Sequence, residues 1–240
     1  MEQFSRTQML LGSGALARLQ HSHVAVFGLG GVGSWCAEAL CRSGIGELTL
    51  IDQDEVSVSN INRQAAALHS TVGMKKAEAT ALRLKDISPQ CRLHPMAERY
   101  EAENRETFFT PDYDYIVDAI DLVSCKLDLI ETAHRRGIPI ISALGTGNKL
   151  DAQQLRIADI SKTEGCPLAR IVRKELRARG ISHHKVVFSP ELACHAEDGT
   201  EAPPPGRRSV PASSMWVPAT AGLLLAQAVI LQLSGCGTSR

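Results

Sequence analysis

Val24-Ala25-Val26-Phe27 is a short apolar run that breaks at Gly28-Leu29-Gly30-Gly31-Val32-Gly33, and from Ser34 to Arg42 apolar residues recur at helical spacing until Ser43-Gly44. A continuous apolar run of this length bounded by glycine reads as a buried strand, and the periodic segment after it as a helix. The glycines between them fit GxGxxG. They permit a tight turn and let a phosphate approach the backbone, while the helix N-terminus offers N–H groups and the positive end of its dipole. The next strand, Leu48-Thr49-Leu50-Ile51, closes at Asp52. That is about twenty residues on, where a carboxylate can accept ribose hydroxyls.

The same alternation continues along the chain. A helix is expected from about Met74 to Leu84, stopped by Pro89, and a weak strand at Arg92-Leu93-His94-Pro95. Tyr115-Ile116-Val117-Asp118 and Pro139-Ile140-Ile141-Ser142 are further strands around a helix from about Leu122 to Arg136. Strand and helix in turn imply crossover connections, hence a Rossmann-like, doubly wound, mostly parallel α/β sheet with helices on both faces. The second half adds antiparallel strands: Gln154 to Ile160 and Lys185 to Phe188, with a helix from Pro167 to Arg179 between them. His195 to Ser214 is a loop rich in Pro, Gly and charge, and a loop of that length in a compact domain usually serves a function. The apolar stretch Val217 to Leu233 is short for a membrane span and is interrupted by Pro218, Gly222, Gln227 and Gln232, so it is expected to pack on the sheet. No linker divides the chain, and residues 1–240 are expected to form one domain.

Composition excludes several classes. Lys+Arg and Asp+Glu both number 26, which rules out a uniformly basic coat for nucleic acid but not a local patch. Aromatics at 4% argue against a stacking platform for single strands. The seven cysteines, at 36, 41, 91, 125, 166, 194 and 236, form no CxxC pair, against both a disulfide framework and a four-thiolate zinc site. The first residues carry no apolar run of the secretory kind. A cytoplasmic protein without obligate membrane association is expected.

Residues beyond Asp52 bear on which nucleotide binds. Asp52-Gln53-Asp54 is followed by Asn60-Ile61-Asn62-Arg63-Gln64 and Gly73-Met74-Lys75-Lys76. Asn60, Arg63 and Lys76 put one amide and two cations just past the ribose strand. A dinucleotide's two phosphates are already served by the helix N-terminus, whereas a triphosphate needs more positive charge. Asp118 and Asp121 lie at the carboxyl end of their strand, on the edge that faces the ligand crevice, and hard carboxylate oxygens there suit Mg²⁺ bound to phosphates. Singly, Arg63 and Lys76 read as solvated charges and Asp118 as an orienting or capping carboxylate. The set favours ATP over NAD, with Lys76 and Asp121 expected to stand exposed. Gly28, Gly30, Gly31, Gly33, Asp52, Asp54, Asn60, Arg63, Lys76 and Asp118 are the candidate nucleotide residues.

Two features concern the acceptor. Arg170, Arg173, Lys174 and Arg177 fall along one helical face, with His183, His184 and Lys185 following. This cluster suits a nucleic-acid backbone, extended by Arg207 and Arg208 if the loop folds back. A solvated helix face balanced by Glu175 is the plainer reading, and charge alone leaves the two even. Cys194, beside His195, is the cysteine to consider for a covalent thioester, though a loop cysteine without function is the simpler account.

Gly28-Leu29-Gly30-Gly31-Val32-Gly33, Asp52-x-Asp54, Asn60-x-x-Arg63-Gln64 and Lys76 together resemble the nucleotide site of the ubiquitin-activating-like adenylyltransferases. The resemblance runs from Arg6 to the apolar C-terminal stretch. It implies that Asp52 binds ribose, Asp121 binds Mg²⁺, and Asn60, Arg63 and Lys76 hold the phosphates. It also implies a homodimer in which Arg6, in Ser5-Arg6-x-Gln8, acts on the neighbour's ATP. Arg6, Arg63, Lys76 and Asp121 are then the candidate catalytic residues. Gly33-Ser34-Trp35-x-x-Glu38-Ala39-Leu40 before Ser43-Gly44-Ile45-Gly46, Val117-Asp118-Ala119-Ile120-Asp121, and Ala158-Asp159-Ile160-Ser161-Lys162-Thr163 ahead of Pro167-Leu168-Ala169 are similar to the branch that dehydrates threonylcarbamoyladenosine in tRNA. That branch implies ATP-dependent adenylation of a carboxylate on tRNA, followed by ring closure. The resemblance also tilts the basic cluster toward tRNA. The alternative is an adenylyltransferase for the C-terminus of a ubiquitin-like sulfur carrier, and the missing CxxC pairs count against it. A docking sulfur-transfer protein is left open. Asp121-Leu122 stands where the wider family has Asp-Asn, and the 194–208 loop matches none of its motifs.

Overall fold

The computed structural model describes residues 2–194 and 211–238. Seven strands lie in the order β3-β2-β1-β4-β5-β7-β6. They are β1 (His23–Phe27), β2 (Glu47–Ile51), β3 (Arg92–Met96), β4 (Tyr115–Asp118), β5 (Ile140–Ala143), β6 (Arg156–Asp159) and β7 (Lys185–Phe188). All neighbours pair in parallel except β6 with β7. The second half therefore adds one antiparallel pair, with β7 itself parallel to β5. β1 is buried at all five positions, which is why its run is apolar without alternation.

Helices α2 (Ser13–Gln20), α3 (Gly33–Arg42), α4 (Lys76–Ile87) and α8 (Trp216–Leu233) share one core with Val24, Val26, Leu48 and Leu50. α5 (Arg105–Phe108), α6 (Val123–Arg136) and α7 (Pro167–Ala178) share another with Ala25, Phe27 and Ile116, on the opposite face. Strand alternation divides β1 between the two. The helix expected from Met74 starts at Lys76. The strand expected over Gln154–Ile160 shortens to β6, flanked by 3₁₀ turns at Ala152–Gln154 and Ile160–Lys162.

α8 is long and apolar enough to cross a membrane by composition, yet half of it is buried within the protein. Gly222 explains how. A Cβ there would stand 2.4 Å from the Val32 carbonyl oxygen, so only glycine lets α8 lie directly on the start of α3. The N-terminal segment, α1 (Ser5–Leu11) with α2, docks at the other end of α3. Phe4 is buried beside Gly44, and Gln3 Nε2 donates to Ser88 Oγ at 3.3 Å.

Candidate active site

The strand order reverses between β1 and β4, and the crevice outside their carboxyl ends is where open α/β sheets take ligands. Gly28 and Gly33 build its floor. Gly28 has φ +86°, and a Cβ on it would meet the Ala119 carbonyl oxygen at 2.6 Å. A Cβ on Gly33 would stand 1.8 Å from the Gly28 carbonyl oxygen. These two close the turn. Gly30 is open by contrast, with Gln64 Nε2 the nearest atom at 4.0 Å from a Cβ, whereas a Cβ on Gly31 would press on Pro218 Cβ at 3.3 Å and on the Arg63 stem at 3.4 Å. No side chain caps the N-terminus of α3; Ser34 N donates to Gly30 O and Cys36 N to Val32 O, both at 3.1 Å, within the glycine turn itself. The positive end of the helix dipole at this turn favours phosphate oxygens.

Asp52 stands beside this turn. Its Oδ2 accepts from Leu29 N at 2.7 Å and its Oδ1 from Asp54 N at 2.9 Å. Burial pushes its carboxyl above the usual carboxylate range, opposed by nearby Lys76 and by the two N–H donors. A carboxylate so held keeps lone pairs on both oxygens for a pair of ribose hydroxyls. Arg63 lays its stem on the glycine turn: its Cγ is 3.4 Å from a Cβ on Gly31, and Nη1 donates to Ser59 O and Asn62 Oδ1, both at 2.8 Å. Trp35 Nε1 donates to the Arg63 carbonyl at 2.8 Å, tying α3 to this loop. Asn60 is buried, and its Oδ1 accepts from Ser57 N at 3.2 Å.

Two expectations change. Lys76 is buried rather than exposed, and Nζ pairs with Asp54 Oδ2 at 2.9 Å. Its backbone N–H also donates to Asp54 O at 2.9 Å, so the first residue of α4 is bound to the acidic loop twice. To hold a phosphate, Lys76 must exchange Asp54 for it. Asp118 is wholly buried. Its Oδ2 pairs with the equally buried Lys126 Nζ at 2.6 Å, and its Oδ1 accepts from Ile120 N at 3.0 Å. Lys126 Nζ also donates to Ala143 O at 3.0 Å. Asp118 therefore shapes the end of β4 and has no exposed oxygen for a nucleotide. Asp121, three residues on, is exposed as expected. Sequence reasoning missed Lys126, though a signal was there: it falls on the inward stripe of α6 with Leu129, Ile130 and Ala133, where an unpaired lysine is not tolerated.

Arg6 is exposed on α1, against the end of α3 remote from the glycine turn. The ten residues of α3, roughly 15 Å of helix, lie between the glycine turn and the Gly44 end where Phe4 anchors this segment.

The basic cluster divides. Arg170, Lys174 and Arg177 are exposed along α7. Arg173 turns inward and donates to the carbonyl (2.7 Å) and hydroxyl (2.6 Å) of Thr163. Lys185 lies on the other face of the sheet, where Nζ donates to Gln232 Oε1 of α8 at 2.9 Å. β7 alternates, so Val186 and Phe188 face α7 while Lys185 and Val187 face α8. Cys194 is exposed, and its N–H donates to Asn148 O at 2.7 Å. The rest of the 194–208 loop, with Arg207 and Arg208, lies outside the described residues. Sequence reasoning missed Asn148, a non-glycine residue at φ 57° whose Oδ1 accepts from Ala212 N at 2.7 Å. With Asn62 Nδ2 donating to Ser213 O at 3.1 Å, it ties residues 212 and 213 to two loops.

Residues 4–240 match the model of the ThiF family. The chain is 40% identical over 241 residues to the tRNA threonylcarbamoyladenosine dehydratase of Bacillus subtilis, covering 97% of this chain and 95% of that one. It is 41% identical over 208 residues to the Escherichia coli protein of the same name, covering 83% and 78%. The crystal structure of the E. coli enzyme, TcdA, in complex with ATP superimposes with a TM-score of 0.88 at 34% identity, covering 100% of this chain and 96% of that one. The chain belongs to the ThiF family, and the members it resembles at this level are tRNA threonylcarbamoyladenosine dehydratases.

Proposed function

We propose that this protein uses ATP to dehydrate threonylcarbamoyladenosine in tRNA to its cyclic form, through adenylation of the substrate carboxylate. The observation that carries the reading is the glycine turn, with its uncapped helix N-terminus, beside the doubly anchored Asp52. A carboxylate is a poor acyl donor because its oxygen leaves poorly. Attack of that oxygen on the α-phosphorus expels pyrophosphate and leaves AMP as the leaving group. A nucleophile already on the substrate then closes the ring, so the protein's work is positioning and charge neutralisation.

In this reading Asp52 takes the ribose hydroxyls, and the α3 N–H groups with Arg63 and Asn60 take the phosphates. Lys76 moves from Asp54 to the phosphates as they arrive. Asp54 acts by positioning Lys76. Asp121, an exposed carboxylate past the end of β4, is a hard donor that fits Mg²⁺, which supplies further charge neutralisation when bound. Arg6 serves the crevice of a second copy in a homodimer. Met9 and Leu10 are 85% and 84% exposed on α1 and supply apolar surface for that contact. Arg170, Lys174 and Arg177 contact the tRNA backbone. The reading carries with it a single domain over residues 1–240 and a cytoplasmic location.

ATP–pyrophosphate exchange tests the proposal with three mixtures: threonylcarbamoyl-modified tRNA, a sulfur-carrier protein, and no acceptor. Exchange dependent on the modified tRNA is expected. Exchange with the sulfur carrier alone would overturn the substrate. Tight NAD binding without ATP binding would overturn adenylation altogether.

A further inference from the structure

At the amino ends of the strands, away from the nucleotide crevice, three neighbouring strands present metal-ligating side chains on one face. β1 carries His23, β2 carries Glu47 directly beside it in register, and β3 carries His94 opposite Thr49. Glu47 Oε1 lies 2.8 Å from His94 Nε2 and 3.9 Å from His23 Nδ1, and all three ligand atoms fall within 4.8 Å of one another. We propose that His23, Glu47 and His94 form a binding site for a divalent transition-metal ion of the zinc type.

Three features beyond the cluster support this. The first is size. Zinc bonds to histidine nitrogen and carboxylate oxygen are about 2.0–2.2 Å, which sets tetrahedral corners about 3.3 Å apart. The two separations from Glu47 bracket that value and the third is at most 4.8 Å, so the three side chains have to move by about an ångström to close on the ion. The second is orientation. His23 Nε2 is engaged with Thr49 Oγ1 at 2.8 Å, and donation to that hydroxyl leaves the Nδ1 lone pair facing Glu47. The ring is held edge-on to Tyr113 at 4.9 Å between centroids. The backbone beneath it is fixed by His23 N donating to Asp114 Oδ2 at 2.7 Å. The third is the carboxylate. Arg92 donates to Glu47 Oε2, which keeps Oε1 turned toward the histidines. Two imidazoles and one carboxylate suit zinc better than magnesium or calcium, which prefer all-oxygen sets. The His23 and Glu47 side chains are 11% and 19% exposed and that of His94 is 49%, so the site is reachable from one side and leaves a fourth position for water. The ion would tie the edge strand β3 to the centre of the sheet.

The test uses the full chain, stripped with chelator and titrated with zinc chloride by calorimetry, beside His94→Ala, Glu47→Gln and the control His21→Ala. Cobalt(II) absorption reads the donor set. One equivalent of zinc in the wild type and in His21→Ala is expected. Affinity should fall at least tenfold in both site variants, with unchanged ATP binding. Four-coordinate cobalt bands without thiolate charge transfer should appear and vanish in His94→Ala. Zinc uptake that both site variants retain, a thiolate spectrum, or no stoichiometric uptake by the wild type would each overturn the proposal.

Discussion

Asp118 and Asp121 are three residues apart and have opposite fates. The ion pair between Asp118 and Lys126 has no exposed atom on either side. Removing one partner strands a buried charge, which costs about 3–5 kcal/mol. Lys126→Met should therefore lower the denaturant midpoint steeply. Asp121→Asn should change stability within about half a kcal/mol, as exposed substitutions do, while abolishing turnover. A pairing of results in the reverse sense would move the catalytic carboxylate to Asp118. His184 gives the acid limit of the fold. Burial lowers its pKa from 6.5 to about 3, with His134 and Lys126 adding to the effect, and its ring is engaged with Ser142 Oγ at 2.8 Å. Well above pH 6.5 the His184 imidazole is neutral both folded and unfolded, and this group adds no pH dependence. Between about 6.5 and about 3 the unfolded chain binds a proton that the folded chain refuses, so stability is lost as pH falls. The slope approaches about 1.4 kcal/mol per pH unit for this one group. Unfolding curves from pH 7 to pH 4 should show it, and His184→Gln should make them shallower, the remaining slope coming from His23 and His134, which burial also lowers.

At the scale of elements, the glycine turn separates folding from binding. A Cβ on Gly33 collides with the Gly28 carbonyl, so Gly33→Ala must displace α3 and should cost about 3 kcal/mol. A Cβ on Gly30 has Gln64 Nε2 as its nearest neighbour, at 4.0 Å. Gly30→Ala should stay within about 1 kcal/mol of wild type while weakening ATP binding tenfold or more, because the methyl takes space that the turn leaves open for the phosphate. Calorimetry and thermal melts on the pair decide the matter. The elements that frame this turn were legible because burial on both faces leaves runs such as Val24–Phe27 without polar interruption. α1 was not: its exposed Met9 and Leu10 break helical amphipathicity, and it is placed by Phe4 and Gln3 contacting residues far along the chain. Helical spacing put Arg170, Arg173, Lys174 and Arg177 on one stripe. It could not show that Thr163 would draw Arg173 inward, or that the alternation of β7 would carry Lys185 to the opposite face. The burial of Lys76 was hidden for a similar reason. Its partner Asp54 belongs to the same motif, and nothing in the spacing says whether the two meet each other or the ligand.

For the whole molecule, the position of Arg6 constrains assembly. Phe4 and Gln3 fix the N-terminal segment at the far end of α3, so the guanidinium cannot turn into its own crevice without unpacking that segment. If Arg6 acts on ATP, it acts on the ATP of another subunit, and a two-fold interface must bring each N-terminus to the other's crevice. Cys236 Sγ, just past α8, lies 3.9 Å from Leu11 O, so exposed Met9 and Leu10 continue the surface at the end of that apolar helix. Arg6→Ala alone should be inactive. Asp52→Asn alone should be inactive too, by loss of ribose binding in a fold that keeps the Leu29 hydrogen bond. Mixed after subunit exchange, half the dimers are hybrids. Each hybrid holds one crevice with both Asp52 and the partner's arginine intact. About a quarter of wild-type turnover should return under isologous symmetry. Exchange confirmed by mass without any recovery would remove Arg6 from the reaction, and full activity of Arg6→Ala alone would do the same.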